Sequence, residues 1–564
     1  LTPQNPAAYP HQSVAASSLW NGIARWYRGF YGPLILLTLL LGVTLLWGLG
    51  RADIATDHEA QRAVPPKEML LYGDWIVPRI NGRPYIAKPP LIYYHHAATY
   101  WMLGINEFAA RVNSAMAAMA LLWVTALWAK RVFGQTEPAL ITAMIAFCNV
   151  MILEKGRQSY LDIHLCLWLT VTFWVWWEAL ERQANGQRPW KLVLAGALPL
   201  AMAHLYKIPV TYLFVATVIL IPALVRGQVR QLFRPEWLGA HLLAVFPFAL
   251  WSWMLSERIS WLATTGMARQ ELALRVQPTA IQQEPIWFYG VVVIGVLIPY
   301  SLFGLAYLKK QVRKSLGTLG LGRSVLVWGS LGSLLVLSLV PAKESYYIIS
   351  AMPVFHLLLG WGIYQFLQDP RWGHRRLSEK SLRLALLVPL VVIPPLFAGV
   401  KAVTDRIETR KRSERAYVEI LNQAMAQDQA VAIWRKVRRY AFFYFDQRVP
   451  FFGDYESLQS FFRENPQALI YADRSDFPQV AFLSQNHRQG LSLNGVASDR
   501  KIIIGPVETL RLPEGIPVTR WVADGADPER GQPQVQAILD ADEAAPGAAS
   551  TEHNPGPEPQ SSLD

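Results

Sequence analysis

Between the first and second apolar runs of the chain, Thr56-Asp57-His58-Glu59-Ala60-Gln61-Arg62 is followed by Gly73-Asp74-Trp75-Ile76-Val77-Pro78-Arg79 and then by Asn81-Gly82-Arg83-Pro84-Tyr85-Ile86-Ala87-Lys88-Pro89-Pro90-Leu91. Acids, a lysine set before two prolines and several Trp and Tyr side chains thus share one segment beside a hydrophobic span. Ionisable groups at a membrane boundary are costly to desolvate and usually mark chemistry. A carboxylate there can take a proton from an incoming hydroxyl, which makes Asp57 and Glu59 the first candidates. Both also have a plain structural reading as solvated acids capping an external amphipathic helix. Lys88 has one as well: the prolines fix the backbone and begin a helix, and a lysine at that point can snorkel to the headgroups.

The elements that must position this segment are membrane helices. Of 564 residues 52% are hydrophobic and 17% charged, averages that hide an apolar front part and a polar back part. Up to Val400 the apolar runs reach the roughly 20 residues needed to cross a bilayer. About eleven spans are predicted, near residues 33–49, 109–128, 139–153, 160–180, 192–206, 209–225, 238–255, 286–308, 325–340, 347–367 and 384–400. With a cytoplasmic leader over 1–32 and the first run retained as a helix, every inner loop is basic: Lys130 and Arg131, then Arg182, Arg188 and Lys191, then Arg226, Arg230 and Arg234, then Lys309 to Arg323, then Arg371 to Arg383. That is the positive-inside pattern, so the net charge of +12 reflects topology and not nucleic-acid binding. The outer loops then hold Asp57 with Glu59, Lys155 with Asp162, Lys207, Glu271 with Arg275, and Lys343 with Tyr347. Against the pattern, the basic stretch from Lys401 to Arg415 falls outside. Cys148 and Cys166 both lie in predicted spans, so no disulfide framework is implied.

From 401 to 525 the composition is that of a soluble domain. A helix over 405–427, apolar pieces at 430–434, 468–471 and 501–504, and a helix over 455–464 predict a small external α/β domain. Beyond 526 the chain is rich in Pro, Ala, Glu, Ser and Gly and is expected to be a disordered tail.

The order of these features resembles the bacterial lipid-linked-sugar glycosyltransferases, the aminoarabinose transferases of lipid A and their relatives, which share the GT-C architecture with protein O-mannosyltransferases (glycosyltransferase families 39 and 83). The similarity begins in the first external loop. It continues through Tyr160-Leu161-Asp162, Leu205-Tyr206-Lys207-Ile208-Pro209, Glu284-Pro285-Ile286-Trp287-Phe288-Tyr289 and Pro341-Ala342-Lys343-Glu344-Ser345-Tyr346-Tyr347, and so covers the chain to about Val400. It implies a mainly α, GT-C-like helical bundle over 33–400 in a bacterial inner membrane. The implied reaction transfers a sugar from polyprenyl phosphate, with inversion, to a lipid A, protein or glycan acceptor on the outer side. The physical requirements agree: a carboxylate base for the acceptor hydroxyl, and cations with hydroxyl donors for the departing lipid phosphate. No Gly-rich phosphate loop is present for a nucleotide.

Carried over residue by residue, the resemblance makes Asp57, Glu59 and Asp162 catalytic and puts Lys88, Arg275, Tyr347, Lys207 and Lys343 at the donor phosphate. Two positions depart from the family. Its motif usually begins with adjacent Asp and Glu, where this chain has His58 and Glu59, which leaves the base open between Asp57 and Glu59. Ala87 stands where the aminoarabinose transferases have a Glu before the lysine, which argues against that sugar. Arg269 is an alternative to Arg275. Asp162 also fits a plain helix cap, Arg275 and Tyr347 an interfacial belt, and Lys207 a snorkelling lysine. Adjacent His95 and His96 would point about 100° apart on a helix and share one ion poorly. No cofactor is assured, and a divalent metal is left open. Membrane lipids are the other expected partners. A transporter or flippase, and a polymerase or ligase acting on lipid-linked glycans, are the rival classes; polar groups gathered in external loops, without broken helices repeated in both halves, favour an enzyme.

Overall fold

The computed structural model describes residues 29–261, 284–368, 379–483, 485–494, 500–512, 517–526 and 533–539. The chain divides into two units, one of residues 1–413 with 438–444 and one of 414–437 with 445–564.

The principal elements of the first unit run in order α1 (Tyr31–Leu46), α2 (Asp57–Tyr72), a hairpin of β1 (Arg79–Ile80) and β2 (Arg83–Pro84), α3 (Leu91–Leu103), α4 (Glu107–Phe133), α5 (Thr136–Phe147), α6 (Val150–Lys155), α7 (Asp162–Ala184), α8 (Ala197–His204), α9 (Ile208–Val215), α10 (Pro235–Arg258), α11 (Leu321–Leu339), α12 (Met352–Leu367) and α13 (Glu379–Arg412). Among the described residues six helices are long and apolar enough to cross a membrane, or seven if the pair Phe288–Val296 and Tyr300–Leu308, bent by 116°, counts as one span. The protein is thus a multi-pass membrane protein, but the expected eleven spans are not all met by continuous helices. At the other four places stand apolar helices of 10–17 residues: Tyr31–Leu46, Thr136–Phe147, Trp190–His204 and Val210–Val225. The third run has a local break. Asn149 interrupts the third run because its side chain caps α6, accepting from the backbone N–H of Met151 and Ile152. The sixth run widens into a π-helical turn at Ala216–Leu220.

Lipid explains the surface of this unit. Leu242, Phe246 and Trp253 on α10 and Leu384, Val391 and Leu396 on α13 are exposed, as suits helix faces turned to hydrocarbon. Inside, Trp128, Phe147, Phe173 and Trp176 are fully buried. Close helix approach depends on small residues: a Cβ at Gly360 of α12 would collide with the Thr142 side chain of α5.

In the second unit α14 (Arg415–Met425) precedes a seven-stranded sheet of order β4-β3-β5-β7-β6-β8-β9. Its strands are β3 (Val431–Trp434), β4 (Phe451–Phe452), β5 (Leu469–Asp473), β6 (Gln489–Leu493), β7 (Lys501–Ile504), β8 (Val518–Ala526) and β9 (Pro533–Leu539), with α15 (Tyr455–Glu464) between β4 and β5. β3 is parallel to β4 and β5, and the remaining pairs are antiparallel. Trp434, Leu458, Phe462, Ile470, Phe477 and Ile502 form its core. Two boundaries differ from the sequence expectation. The division falls after Ser413 and not at 401, because α13 continues past its apolar stretch as one helix. The segment from 526, expected as tail, contains β9, which pairs with β8 from Thr519 opposite Leu539.

Candidate active site

α2 begins where Thr56, with φ −126°, turns the chain and its hydroxyl accepts the Glu59 backbone N–H at 3.3 Å. The two acids of the first turn then part. Asp57 stays partly exposed, accepts the Arg439 backbone N–H at 2.9 Å and lies 3.6 Å from the Arg438 guanidinium. Glu59 points inward. Both its oxygens accept from Arg111 of α4 at 2.9 Å, and the Ser159 backbone N–H donates to it at 3.0 Å. Arg111 also donates to the carbonyls of Leu49, Ala52 and Asp53, so it ties the α1–α2 connection to α4. Burial alone would raise the Glu59 carboxyl, but the charge and hydrogen bonds of Arg111, with the Ser159 N–H, outweigh it and hold the group below the usual range. A carboxylate so supplied with donors is a structural anion and a poor proton acceptor. Of the two acids between which the sequence left the base open, the geometry disfavours Glu59.

The hairpin after α2 sets the position of Lys88. Asn81 and Gly82 both have positive φ, 51° and 76°, as a two-residue turn with the twist of its strands requires. Asp74 accepts the N–H groups of Ile76 and Val77 and pairs with Arg79, while Glu68 of α2 receives the Gly82 N–H at 3.1 Å. Lys88 follows this hairpin, half-buried, just before Pro89 and Pro90 lead into α3.

Three residues expected at the site do meet. Asp162, buried in the first turn of α7, lies 3.6 Å from the Lys207 amine at the start of α9. That amine sits 4.7 Å from the centroid of the Tyr347 ring. From Tyr347 an aromatic series continues to Tyr346 at 5.1 Å and Tyr160 at 5.4 Å. Two further cations cover Tyr160, Lys155 at 4.3 Å and Arg62 at 5.2 Å from its centroid. His58 closes the group, its ring 6.1 Å from that of Tyr160. Asp57 adjoins His58 in the first turn of α2, and Asp162 follows Tyr160 by two residues at the start of α7. Asp57, His58 and Arg62 come from α2, Lys155 ends α6, Asp162 begins α7, Lys207 precedes α9, and Tyr346 and Tyr347 open the α12 segment. Such a site offers two carboxylates, an imidazole, three cations and three phenols at the ends of membrane helices. It can bind a phosphate and receive a proton.

Other expected residues lie elsewhere. Lys343 donates to the Glu284 carbonyl at 2.9 Å and is largely buried there. Arg275 and its alternative Arg269 lie outside the described residues. His95 and His96 diverge, as their spacing predicts: His95 Nδ1 meets the Tyr206 hydroxyl at 2.6 Å. His96 lies between the Ile92 carbonyl and the Ser159 hydroxyl. Since a carbonyl only accepts, His96 Nδ1 carries the hydrogen and Nε2 accepts from Ser159. Among the described residues no three His, Cys, Asp or Glu side chains are grouped to hold a metal ion. Arg62, Lys155 and Tyr346 were not singled out as site residues from the sequence. Arg62 alone had a local signal, lying one helical turn after His58.

The family model for dolichyl-phosphate-mannose-protein mannosyltransferases matches residues 35–256. An uncharacterized protein of Aquifex aeolicus is 25% identical over 327 residues, covering 57% of this chain and 62% of its own. The undecaprenyl phosphate-alpha-4-amino-4-deoxy-L-arabinose arabinosyl transferase 2 of Pseudomonas fluorescens is 26% identical over 375 residues, covering 63% of this chain and 65% of its own. The chain thus spans just under two thirds of the length of these relatives. Among solved structures, ArnT from Cupriavidus metallidurans bound to undecaprenyl phosphate superposes with a TM-score of 0.61 at 16% identity, over 86% of this chain and 100% of that one. That likeness establishes the membrane fold.

Proposed function

We propose, from the premise that the chain is a GT-C-fold protein like the aminoarabinose transferases and protein mannosyltransferases, that it is a membrane glycosyltransferase. It would move a sugar from polyprenyl phosphate to a lipid, protein or glycan acceptor on the outer face of the bacterial cytoplasmic membrane. The observation that carries this reading is the meeting of Asp162, Lys207 and Tyr347 from three separate helix starts. In this reading Lys207, Lys155 and Arg62 take the charge of the lipid phosphate, with the Tyr346 and Tyr347 hydroxyls as further donors, since charge-assisted hydrogen bonds suit a phosphate. Lys88 and Arg275 are assigned to the same phosphate on the strength of the resemblance. Asp57 and Asp162 draw the acceptor hydroxyl in and stabilise positive charge developing at the sugar. Glu59 maintains the wall that holds them.

The test uses the full chain in detergent with undecaprenyl-phosphate-linked mannose, glucose or aminoarabinose and measures release of undecaprenyl phosphate. Release from at least one donor, without nucleotide sugar, is expected. Movement of an intact lipid-linked sugar across proteoliposomes without release would replace the enzyme by a transporter.

A further inference from the structure

His58 is unlike every acid around it. Each of these carboxylates already has a donor or a cation beside it: Arg111 and the Ser159 N–H donate to Glu59, the Arg439 N–H donates to Asp57 with the Arg438 guanidinium 3.6 Å away, and the Lys207 amine lies 3.6 Å from Asp162. His58 is an exposed residue, and among the described residues its ring nitrogens make no hydrogen bond, while its ring lies 6.1 Å from that of Tyr160. Its backbone is fixed, because the Arg62 guanidinium donates to its carbonyl one turn on. The charged groups that face it are Asp57 and Arg62 on its own helix, Lys155 at the end of α6 and Asp162 at the start of α7.

We infer that His58 is the proton acceptor of the transfer reaction, with Asp57 and Asp162 as its flanking anions. This rests on the glycosyltransferase reading above. As the acceptor O–H bond breaks, its proton forms an N–H bond with one ring nitrogen, and the oxygen bonds to the anomeric carbon of the sugar. The bond from that carbon to the phosphate oxygen breaks, and its electron pair leaves on the polyprenyl phosphate. The imidazolium is stabilised by Asp57 and Asp162 and gives its proton to solvent, which the exposed ring reaches. The electrostatics fit this task. Desolvation on its packed side, then Arg62 and Lys155, lower the imidazole from its ordinary value of 6.5 against the opposite pull of Asp57 and Asp162, which favours the neutral form that can take a proton. A surface histidine with no part in the reaction would share the exposure but not a role in turnover.

The experiment compares the full-length protein with His58→Gln and His58→Asp, using whichever of the three undecaprenyl-phosphate-linked sugars the unsubstituted chain turns over. Undecaprenyl phosphate affinity and thermal unfolding are measured beside the rate. The expected result is a loss of ~10²–10⁴-fold in kcat for His58→Gln, with affinity and unfolding unchanged. The unsubstituted chain should lose activity on the acid side with one ionisation below pH 6.5. His58→Asp, which restores a titrating base at the same place, should recover about tenfold or more over His58→Gln and move that limb to lower pH. Retention of activity within about threefold in His58→Gln, well below any general-base effect, overturns the assignment. So does parallel loss of affinity or fold, or an acid limb unchanged in both variants. If the unsubstituted chain releases no undecaprenyl phosphate from any donor, the glycosyltransferase reading itself fails and this inference with it.

Discussion

Asp57 and Glu59 are two positions apart on one helix, about 200° of rotation, and that rotation sends one to the surface and the other into a bidentate pair with Arg111. Breaking a buried pair from one side costs about 3–5 kcal/mol because the remaining charge is stranded. Glu59→Gln should therefore lower the unfolding temperature sharply and remove activity only as folded protein is lost. Adding Arg111→Met should not restore the stability, because the carbonyls of Leu49, Ala52 and Asp53 then lose their donor as well. Full stability with zero turnover in the single variant would return Glu59 to the chemistry. The sign of its pH dependence follows from a folded carboxyl held below the usual 4.5: the stabilisation is complete above that value and is lost as pH falls through the lower, folded one. At the cluster, Lys207→Ala should weaken undecaprenyl phosphate binding by about 1.5–3 kcal/mol, the range for a hydrogen bond to a charged group. Asp162→Asn should leave that affinity intact and reduce turnover, read as kcat against Kd. The sequence displayed the acids but could not say which was buried, because the deciding partner lies 52 residues away.

Helix ends do the positioning at the next scale. α2 is fixed in front by Thr56 and behind by Gly73 in the left-handed region, φ 75°, and its first turn carries Asp57 and His58 into the site. Thr56→Ala should destabilise by about 1 kcal/mol, while Thr56→Ser, which keeps the hydroxyl, should be close to neutral in thermal unfolding. If the alanine variant loses turnover beyond its loss of stability, the cap also sets the His58 geometry. Starts of α2, α7 and α9 were visible in outline from Asp, Pro and apolar spacing. The Asn81-Gly82 dipeptide carries its own hairpin-turn signal inside the longer first-loop run. The joining of Tyr160 to Tyr346 was not visible, since nothing local ties two tyrosines on different helices.

Across the whole molecule, apolar composition located the spans among the described residues of the first unit but not every break in them, since the Asn149 cap interrupts a run whose composition alone looks unbroken. The strands at 431–434, 469–473 and 501–504 followed from short apolar pieces. β9 did not, since its polar neighbours in sequence resemble a tail. Sidedness can be checked with an impermeant thiol reagent on spheroplasts, aided by the burial of both native cysteines. Cysteine at Arg83 in the hairpin and at Glu456 in the α/β unit should label, while cysteine at Gln187 in the connection after α7 should be protected until the membrane is opened. Protection at position 456 with labelling at 83 would mean that the span count between them is odd.

The Arg111–Glu59 pair also bears on how the chain is made. Synthesis is directional, and Glu59 leaves the ribosome 52 residues ahead of Arg111, an interval of about 3–10 s at ordinary elongation rates. When α4 is delivered to the bilayer with an arginine near its leading end, the anion that will neutralise it is already waiting on the side to which that end goes. The order of the genes' codons thus spares the insertion machinery an unpaired cation.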